Sequence, residues 1–310
     1  MRILTTSIAL LAAASSAFAV VGPGKVTGNT AVHDPTLCKD SSGTYFVFST
    51  GTGLEIRTST DRTAWTYIGN VFSTAPSATN TFTGQSNGVL WAPDCVYANN
   101  KFHLFYAASS FGSQHSGIFF ATSNTGQPGS FTDHGLVLST NTGDSYNAID
   151  PNLVISTNGQ WYLSLGSFWT GIKQVQLNSD GSLKSSTVTS LAERSGTDAI
   201  EASVIYPYNG YFYLFTSWDK CCDGTSSTYN IRVGRSTNIN GPYTDQSGVA
   251  LLSGGGTQVL ATHDSIYGPG GQDVFTDNDG PILVYHYYTS TGSYLGINRL
   301  DFSSGWPAVV

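Results

Sequence analysis

The stretch Asp34-Pro35-Thr36-Leu37, followed by Gly43-Thr44-Tyr45-Phe46-Val47-Phe48, is the first copy of a pattern that recurs through the chain. An acidic or amide residue precedes a short apolar stretch, a Gly or Asn turn follows, and a run rich in Tyr and Phe comes last. Further copies start at Asp94, Asp150, Glu201 and Gln272. Asn-Gly and Asp-Gly dipeptides between alternating runs are typical of β-hairpins. The pattern therefore predicts a protein built from repeated antiparallel units.

The copies follow one another at intervals of roughly 50–70 residues, the length of a propeller blade with about four short strands. The chain after the N-terminus contains no long stretch with a clear helical period. We therefore predict an all-β fold, a five-bladed β-propeller, with blades between about residues 28 and 305. A large β-sandwich or jelly roll is the alternative, but it does not explain why carboxyl groups recur at the start of each unit.

The repeated acidic position has a consequence for chemistry. The first strand of each propeller blade lines the central channel, so equivalent residues converge near the axis. We expect Asp34, Asp94, Asp150, Glu201 and Gln272 to meet on one face of the molecule. Like charges in a partly desolvated site raise one another's pKa, which keeps a carboxylic acid protonated near neutral pH. For any one of these residues alone a structural role is the alternative, since Asp-Pro commonly opens a turn.

Residues 1–19 read MRILTTSIALLAAASSAFA. The basic Arg2, a short apolar segment and the small-x-small sequence Ala17-Phe18-Ala19 are typical of a secretory signal peptide, which is too short to span a membrane. We therefore predict that residues 20–310 form the exported chain, a single propeller domain that works outside the cell.

The charge balance excludes several classes of partner. The chain has 13 Lys and Arg against 20 Asp and Glu, a formal net charge of −7. Scattered basic residues on an acidic chain argue against binding to nucleic acid or to an anionic membrane surface. Because no long amphipathic stretch suggests a protein partner, we expect a monomer.

The four cysteines suit an oxidising compartment and allow three pairings. Cys221 and Cys222 are adjacent, which permits a disulfide between consecutive residues and would leave Cys38 to pair with Cys95. Four buried free thiols are the alternative. Zinc binding is not indicated, since the chain has no Cys-x-x-Cys or His-x-x-x-His spacing.

Five motifs occur along the chain, in the order Val32-His33-Asp34-Pro35, Leu90-Trp91-Ala92-Pro93-Asp94, Asn147-Ala148-Ile149-Asp150-Pro151-Asn152, Ala199-Ile200-Glu201-Ala202-Ser203 and Gly268-Pro269-Gly270-Gly271. Together they make the chain resemble glycoside hydrolase family 43. The resemblance implies a five-bladed propeller, in agreement with the repeat count. It also implies an endo-1,5-α-L-arabinanase, which cleaves the arabinan side chains of pectin.

The resemblance assigns the family's chemistry to three carboxyl groups. Asp34 matches the general base, Glu201 the general acid, and Asp150 the carboxylate that tunes the pKa of the acid. Glycoside hydrolysis needs one protonated carboxyl at the leaving oxygen and an ionised one behind the anomeric carbon. The family reaction inverts the configuration at that carbon, with Asp34 activating a water, and it requires no cofactor.

Aromatic platforms and amides are expected to bind the sugar chain. Trp91 and Phe111 resemble the family's sugar-stacking residues, Asn147 is placed to bond a hydroxyl group, and His33 adjoins the base. Trp169 is a further aromatic residue that could reach the cleft. We expect Trp161, Trp218, Tyr213, His103 and His286 to be packing residues of the core.

A metal site is the point where the sequence departs from the family pattern. Relatives place a His just after Gly-Pro-Gly, whereas this chain has Gln272 there and His263 five residues before that motif. One structural Ca²⁺ or Na⁺ near the propeller axis, held by Gln272 or His263 with waters, is one alternative, and no ion is the other.

Three functions stay open at this stage. The first is the endo-acting arabinanase. The second is an exo-arabinanase, α-L-arabinofuranosidase or β-xylosidase of the same family, which differ in loops that close the cleft. The third is a carbohydrate-binding propeller without catalysis, a lectin, which has no need for three convergent carboxylates.

Overall fold

The computed structural model describes residues 22–310, and these form five sheets arranged as a five-bladed β-propeller, which confirms the predicted fold. The signal peptide predicted for residues 1–19 lies outside the described residues. Within residues 22–310 we find no helix with the length and apolar character to cross a bilayer.

Each blade is an antiparallel sheet made from one continuous part of the chain, apart from two short added strands. Blade 1 contains β1 (Thr27–Gly28), β2 (Thr36–Lys39), β3 (Tyr45–Ser49), β5 (Glu55–Ser59) and β6 (Ala64–Asn70), with β1 parallel to β6. Blade 2 contains β4 (Gly51–Thr52), β7 (Val89–Ala98), β8 (Lys101–Ala108), β9 (Ser116–Ser123) and β10 (Thr132–Thr140). The short helix α1 (Ser77–Thr83) precedes β7.

The other three blades have four strands each. Blade 3 contains β11 (Asn152–Ile155), β12 (Trp161–Leu165), β13 (Ile172–Leu177) and β14 (Thr189–Ala192). Blade 4 contains β15 (Ile200–Tyr208), β16 (Tyr211–Trp218), β17 (Asn230–Ser236) and β18 (Thr257–Leu260), with 3₁₀ turns at Gly224–Ser226 and Leu251–Ser253. Blade 5 contains β19 (Tyr267–Asp277), β20 (Gly280–Thr289), β21 (Gly292–Asp301) and β22 (Ala308–Val309).

The innermost strands share one backbone feature. A residue with left-handed φ lies at the start of each strand or at a bulge within it, namely Asp34 (46°), Ala92 (39°), Asp150 (55°), Ala202 (50°) and Gly271 (54°). These five residues are the equivalent positions of the five blades. The structure thus shifts the alignment that the sequence predicted: Asp94 lies two residues after the equivalent position, Glu201 one residue before it, and Gln272 one residue after it.

In four of the blades, the residue two positions after the left-handed one links its blade to the next. Its side chain accepts a backbone N–H from the next inner strand, as in Thr36 with Cys95 (3.1 Å), Asp94 with Leu153 (2.8 Å), Asn152 with Ile205 (2.9 Å) and Asp273 with Leu37 (2.8 Å). Val204 occupies this position in blade 4 and has no acceptor. The bond from Leu37 to Asp273 joins blade 5 to blade 1 and closes the ring.

Cores of aromatic and aliphatic side chains fill the spaces within and between the blades, and Trp161, Trp218 and Tyr213 are buried there as expected. A disulfide joins Cys38 in β2 to Cys95 in β7, which links the inner strands of the first two blades. A second disulfide joins the consecutive residues Cys221 and Cys222 in the loop after β16. The structure therefore contains the pairing that the adjacent cysteines had suggested.

Candidate active site

A cleft of about 1000 Å³ contains the residues that the sequence singled out for catalysis and sugar binding. Its lining includes His33, Asp34, Trp91, Phe111, Asn147, Asp150, Trp169 and Glu201. The left-handed backbone at Asp34 and Asp150 lies next to the inner strands, and this backbone conformation places both side chains at the cleft. Carboxyl groups from blades 1, 3 and 4 thus reach one solvent-accessible space.

Asp34 is partly open to solvent, with 22% of its side chain exposed. Its Oδ2 accepts a hydrogen bond from the Thr50 hydroxyl at 3.0 Å. The Thr50 hydroxyl in turn accepts the backbone N–H of Ala92 at 2.9 Å, which fixes its orientation. This partial exposure gives the Asp34 carboxyl group access to water.

Glu201 is enclosed, with 9% of the residue exposed. Burial raises the pKa of its carboxyl group, and the charge of Asp34 raises it further, against the opposing effect of two hydrogen bonds. Ser167 Oγ donates one of these at 2.5 Å and Tyr229 Oη donates the other at 2.8 Å. Both partners are hydroxyl groups, so each can also accept a hydrogen bond from a protonated Glu201.

Asp150 is the third carboxyl group of the cleft. Burial raises its pKa well above the ordinary value, and the charges of Glu201 and Asp34 add to that effect. Its Oδ2 accepts the backbone N–H of Ala202 at 3.0 Å. A backbone N–H can only donate, so this bond favours the ionised form of Asp150. The hydrogen bonds thus distinguish the two groups, because both partners of Glu201 can accept as well as donate, whereas the backbone N–H at Asp150 can only donate.

His286 is a buried histidine whose two ring nitrogens both have partners, as expected of a core residue, but the sequence did not place it beside Asp34. Its Nδ1 accepts the backbone N–H of Asp34 at 3.0 Å, and its Nε2 lies 3.1 Å from Tyr288 Oη. Burial and the adjacent His33 lower the pKa of His286 well below its usual value. The ring is therefore neutral with its proton on Nε2, and it stacks against His33 at 4.2 Å.

The residues predicted to bind sugar differ in exposure. Phe111 is 86% exposed, which is unusual for a phenylalanine and suits a stacking platform at the rim of the cleft. Trp91 and Trp169 are partly buried in the cleft wall. Asn147 is 3% exposed, and its buried Oδ1 has no hydrogen-bond partner within residues 22–310. An unpaired amide oxygen at a cleft wall is suited to a hydroxyl group or a water.

A much smaller cavity of about 30 Å³ lies between the inner strands, and its lining includes Asp34, Asp94, Asp150 and Gln272 but not Glu201. Burial and the charge of Asp273 raise the pKa of Asp94 to about 8. Asp94 accepts bonds from Asn152 and Leu153, so its role is to link blades.

The two residues predicted to hold an ion, Gln272 and His263, already contact other groups of the protein. Gln272 accepts from Ser217 Oγ at 2.6 Å and donates to the Ala202 carbonyl, while His263 contacts the Ala261 carbonyl through Nδ1. The structure brings ligand atoms of His33, Asp34 and His286 within 4.8 Å of one another, but both nitrogens of His286 already have partners. The ion stays a prediction, and we assign no chemical step to it.

Sequence reasoning missed Thr50, Ser167, Tyr229, His286 and Tyr288. None of these residues lies at the start of a repeat, and each reaches the site from a second or third strand or from a loop. The sequence alone does not distinguish a Ser, Thr, Tyr or His at such a position from a residue that only packs in the core.

Comparison with known proteins gives a consistent result. A model of the family "Glycosyl hydrolases family 43" matches residues 24–307. A probable arabinan endo-1,5-α-L-arabinosidase A of Aspergillus flavus is 42% identical over 322 residues, which cover 99% of both chains.

Solved structures share the fold closely. A GH43 endo-arabinanase from Bacillus licheniformis superimposes with a TM-score of 0.86 at 40% identity, over 92% of this chain and 99% of that chain. An exo-1,5-α-L-arabinanase from a bovine ruminal metagenomic library also has a TM-score of 0.86, at 34% identity, over 90% of this chain and 97% of that chain. Overall shape therefore does not separate endo from exo action.

Proposed function

The chain belongs to glycosyl hydrolase family 43, and we propose that it is an inverting endo-1,5-α-L-arabinanase acting on internal linkages of arabinan. The observation that carries the proposal is the difference between two carboxyl groups in one aromatic-lined cleft. Glu201 is enclosed and its pKa is raised, whereas Asp34 is open to solvent and hydrogen-bonded to a hydroxyl. Such a pair is what acid–base hydrolysis of a glycosidic bond requires.

The proposed reaction is a single displacement. Asp34 removes a proton from a water as the water oxygen attacks the anomeric carbon from the face opposite the leaving group. The glycosidic bond breaks, and Glu201 gives its proton to the leaving oxygen. Asp150, ionised through its bond from Ala202, keeps the proton on Glu201 until that moment. Thr50 and His286 orient Asp34 through its carboxylate and its backbone.

Three further residues are proposed to bind the polysaccharide. Phe111 and Trp91 offer ring faces to the apolar side of furanose units, and Asn147 supplies the unpaired amide oxygen to a sugar hydroxyl. His33 lies beside the base and completes the wall of the cleft. We also propose export by the signal peptide of residues 1–19 and action as a monomer. Mass spectrometry of the secreted protein and light scattering test these two points.

The decisive experiment is size-resolved analysis of the products from linear, debranched α-1,5-arabinan. Early formation of oligosaccharides of several sizes is expected for endo action. A monosaccharide or a single oligomer would instead indicate an exo-acting enzyme, and binding without cleavage would favour the lectin.

Glu201→Gln tests the acid in the same assay, because it keeps the shape of the side chain but cannot donate the proton. We expect activity to fall at least about 100-fold. Glu193→Gln is the matched control, since Glu193 is not among the residues that line the cleft. Full activity of the Glu201 variant would contradict the assignment.

A further inference from the structure

The disulfide between Cys221 and Cys222 lies in the cleft, and the mechanism above does not use it. It belongs to the loop between β16 and β17. Cys222 is exposed and has left-handed φ (66°), and Cys221 is partly buried. The other disulfide, Cys38–Cys95, is buried between blades, so it suffices to cross-link the fold. Cross-linking of the fold therefore does not explain why a second disulfide lies in the cleft.

Cys222 is connected to Asp34 by two routes. Its backbone N–H donates to Tyr288 Oη at 2.9 Å, and Tyr288 Oη lies 3.1 Å from Nε2 of His286, whose Nδ1 accepts the Asp34 N–H at 3.0 Å. Its Sγ lies 3.7 Å from Nε2 of His33, and that same nitrogen is 3.5 Å from Asp34 Oδ2. Cys222 thus contacts Tyr288, which bonds the histidine that holds the Asp34 backbone, and His33, which adjoins the Asp34 carboxylate.

The same loop also reaches the acid. Thr228 donates its backbone N–H to the Lys220 carbonyl at 3.0 Å, which closes the loop immediately before Tyr229. Tyr229 Oη then donates to Glu201. The loop that carries the disulfide therefore lies between the groups that hold the base and the group that holds the acid.

A bond between adjacent cysteines fixes both side chains and the peptide between them. The contacts to Tyr288 and His33 then come from a rigid support, and no rotamer freedom has to be lost when substrate binds. We infer that the Cys221–Cys222 disulfide is a positioning element for the base, acting through Tyr288–His286 and through His33. This inference rests on the proposed role of Asp34.

The test combines the disulfide variant Cys221→Ser/Cys222→Ser with Tyr288→Phe, each alone and together. We expect the serine variant to lose about 10- to 100-fold in kcat with KM changed less than about threefold, since a misplaced base slows the chemistry without weakening sugar binding. Tyr288→Phe should lower kcat in the same way. Because the two variants share the Tyr288–His286 route, the combined variant should lose clearly less than the product of the two single losses.

Two controls separate positioning from general damage. Tyr287→Phe removes a hydroxyl from the next residue of the same strand, outside the cleft lining. Cys38→Ala/Cys95→Ala removes the other disulfide, and should lower the unfolding temperature while leaving kcat at low temperature near the wild-type value.

The inference would be overturned if the losses in kcat multiplied in the combined variant. It would also be overturned if the serine variant kept the wild-type kcat, or if only its KM rose. If the serine variant does not fold, Tyr288→Phe against Tyr287→Phe decides: equal kcat values overturn it. A wild-type enzyme that leaves arabinan uncut would instead refute the proposed function.

Discussion

Tyr229→Phe is the sharpest probe of the proposed acid, because it removes one hydrogen bond to Glu201 and leaves the ring in place. The lost bond is 2.8 Å long and joins two buried groups. A hydrogen bond to a charged group contributes about 1.5–3 kcal/mol, and one pKa unit corresponds to 1.36 kcal/mol. This bond stabilises the ionised carboxylate and so lowers the pKa of Glu201, against the larger effect of burial. Its removal should raise that pKa by about 1–2 units.

The assay is the pH dependence of kcat/KM on a soluble arabino-oligosaccharide. The acid must be protonated, so activity falls on the basic side as Glu201 ionises, and the variant should lose activity about 1–2 pH units higher than the wild type. The maximal rate should fall by up to roughly tenfold, since a weaker acid transfers its proton less readily. Tyr243→Phe is the matched control, a buried tyrosine that bonds a backbone carbonyl outside the cleft. A basic limb that stays in place or moves to lower pH would refute the reasoning.

Two other predictions concern substrate binding and acid stability. Phe111→Ala should raise KM for arabinan several-fold with little change in unfolding temperature, because the ring is exposed and stacking on a sugar is its only expected contact; unchanged kinetics would remove it from the binding site. Asp277 is predicted to carry pH-dependent stability: burial opposes its ionisation, but hydrogen bonds from Lys39, Tyr45 and Arg62 lower its pKa to about 2. A depressed pKa contributes stability above the usual aspartate range that is lost as the pH falls from about 4 to 2, on the order of 2 kcal/mol. Urea unfolding of Asp277→Asn should show that deficit at pH 7 and a much smaller one near pH 2; a deficit independent of pH would contradict this origin.

The sequence was sufficient for the fold because the repeat combines two signals. The hairpin turns define the strands, and the five-fold recurrence defines the blades. The predicted alignment of three repeats was off by one or two residues. The repeats were aligned on their carboxyl and amide groups, whereas the feature that the blades share is a backbone conformation. Ala92 and Ala202 have that conformation without any side-chain chemistry to mark it.

The candidate site was only partly predictable for a related reason. Asp34, Asp150 and Glu201 lie near the start of a blade, where topology alone brings them together. Ser167 reaches Glu201 and His286 reaches Asp34 across a blade boundary, while Tyr229 reaches Glu201 from a loop of the same blade, and these contacts depend on loop paths and strand twist. Such contacts join residues up to 252 positions apart, so local sequence patterns do not reveal them.

The left-handed positions show how the ring geometry and the chemistry constrain each other. A non-glycine residue in this conformation costs of the order of 1–3 kcal/mol, so a propeller built for stability alone would favour glycine at all five places. Only blade 5 has glycine, and there a Cβ on Gly271 would lie 2.5 Å from Asp34 Oδ1 and 2.8 Å from the His286 ring. Glycine is thus needed where the base and its histidine occupy the space. Aspartate occurs in blades 1 and 3, where the same backbone turn directs a side chain into the cleft. The strain at Asp34 and Asp150 is therefore best understood as the cost of directing two carboxyl groups from rigid inner strands at one substrate.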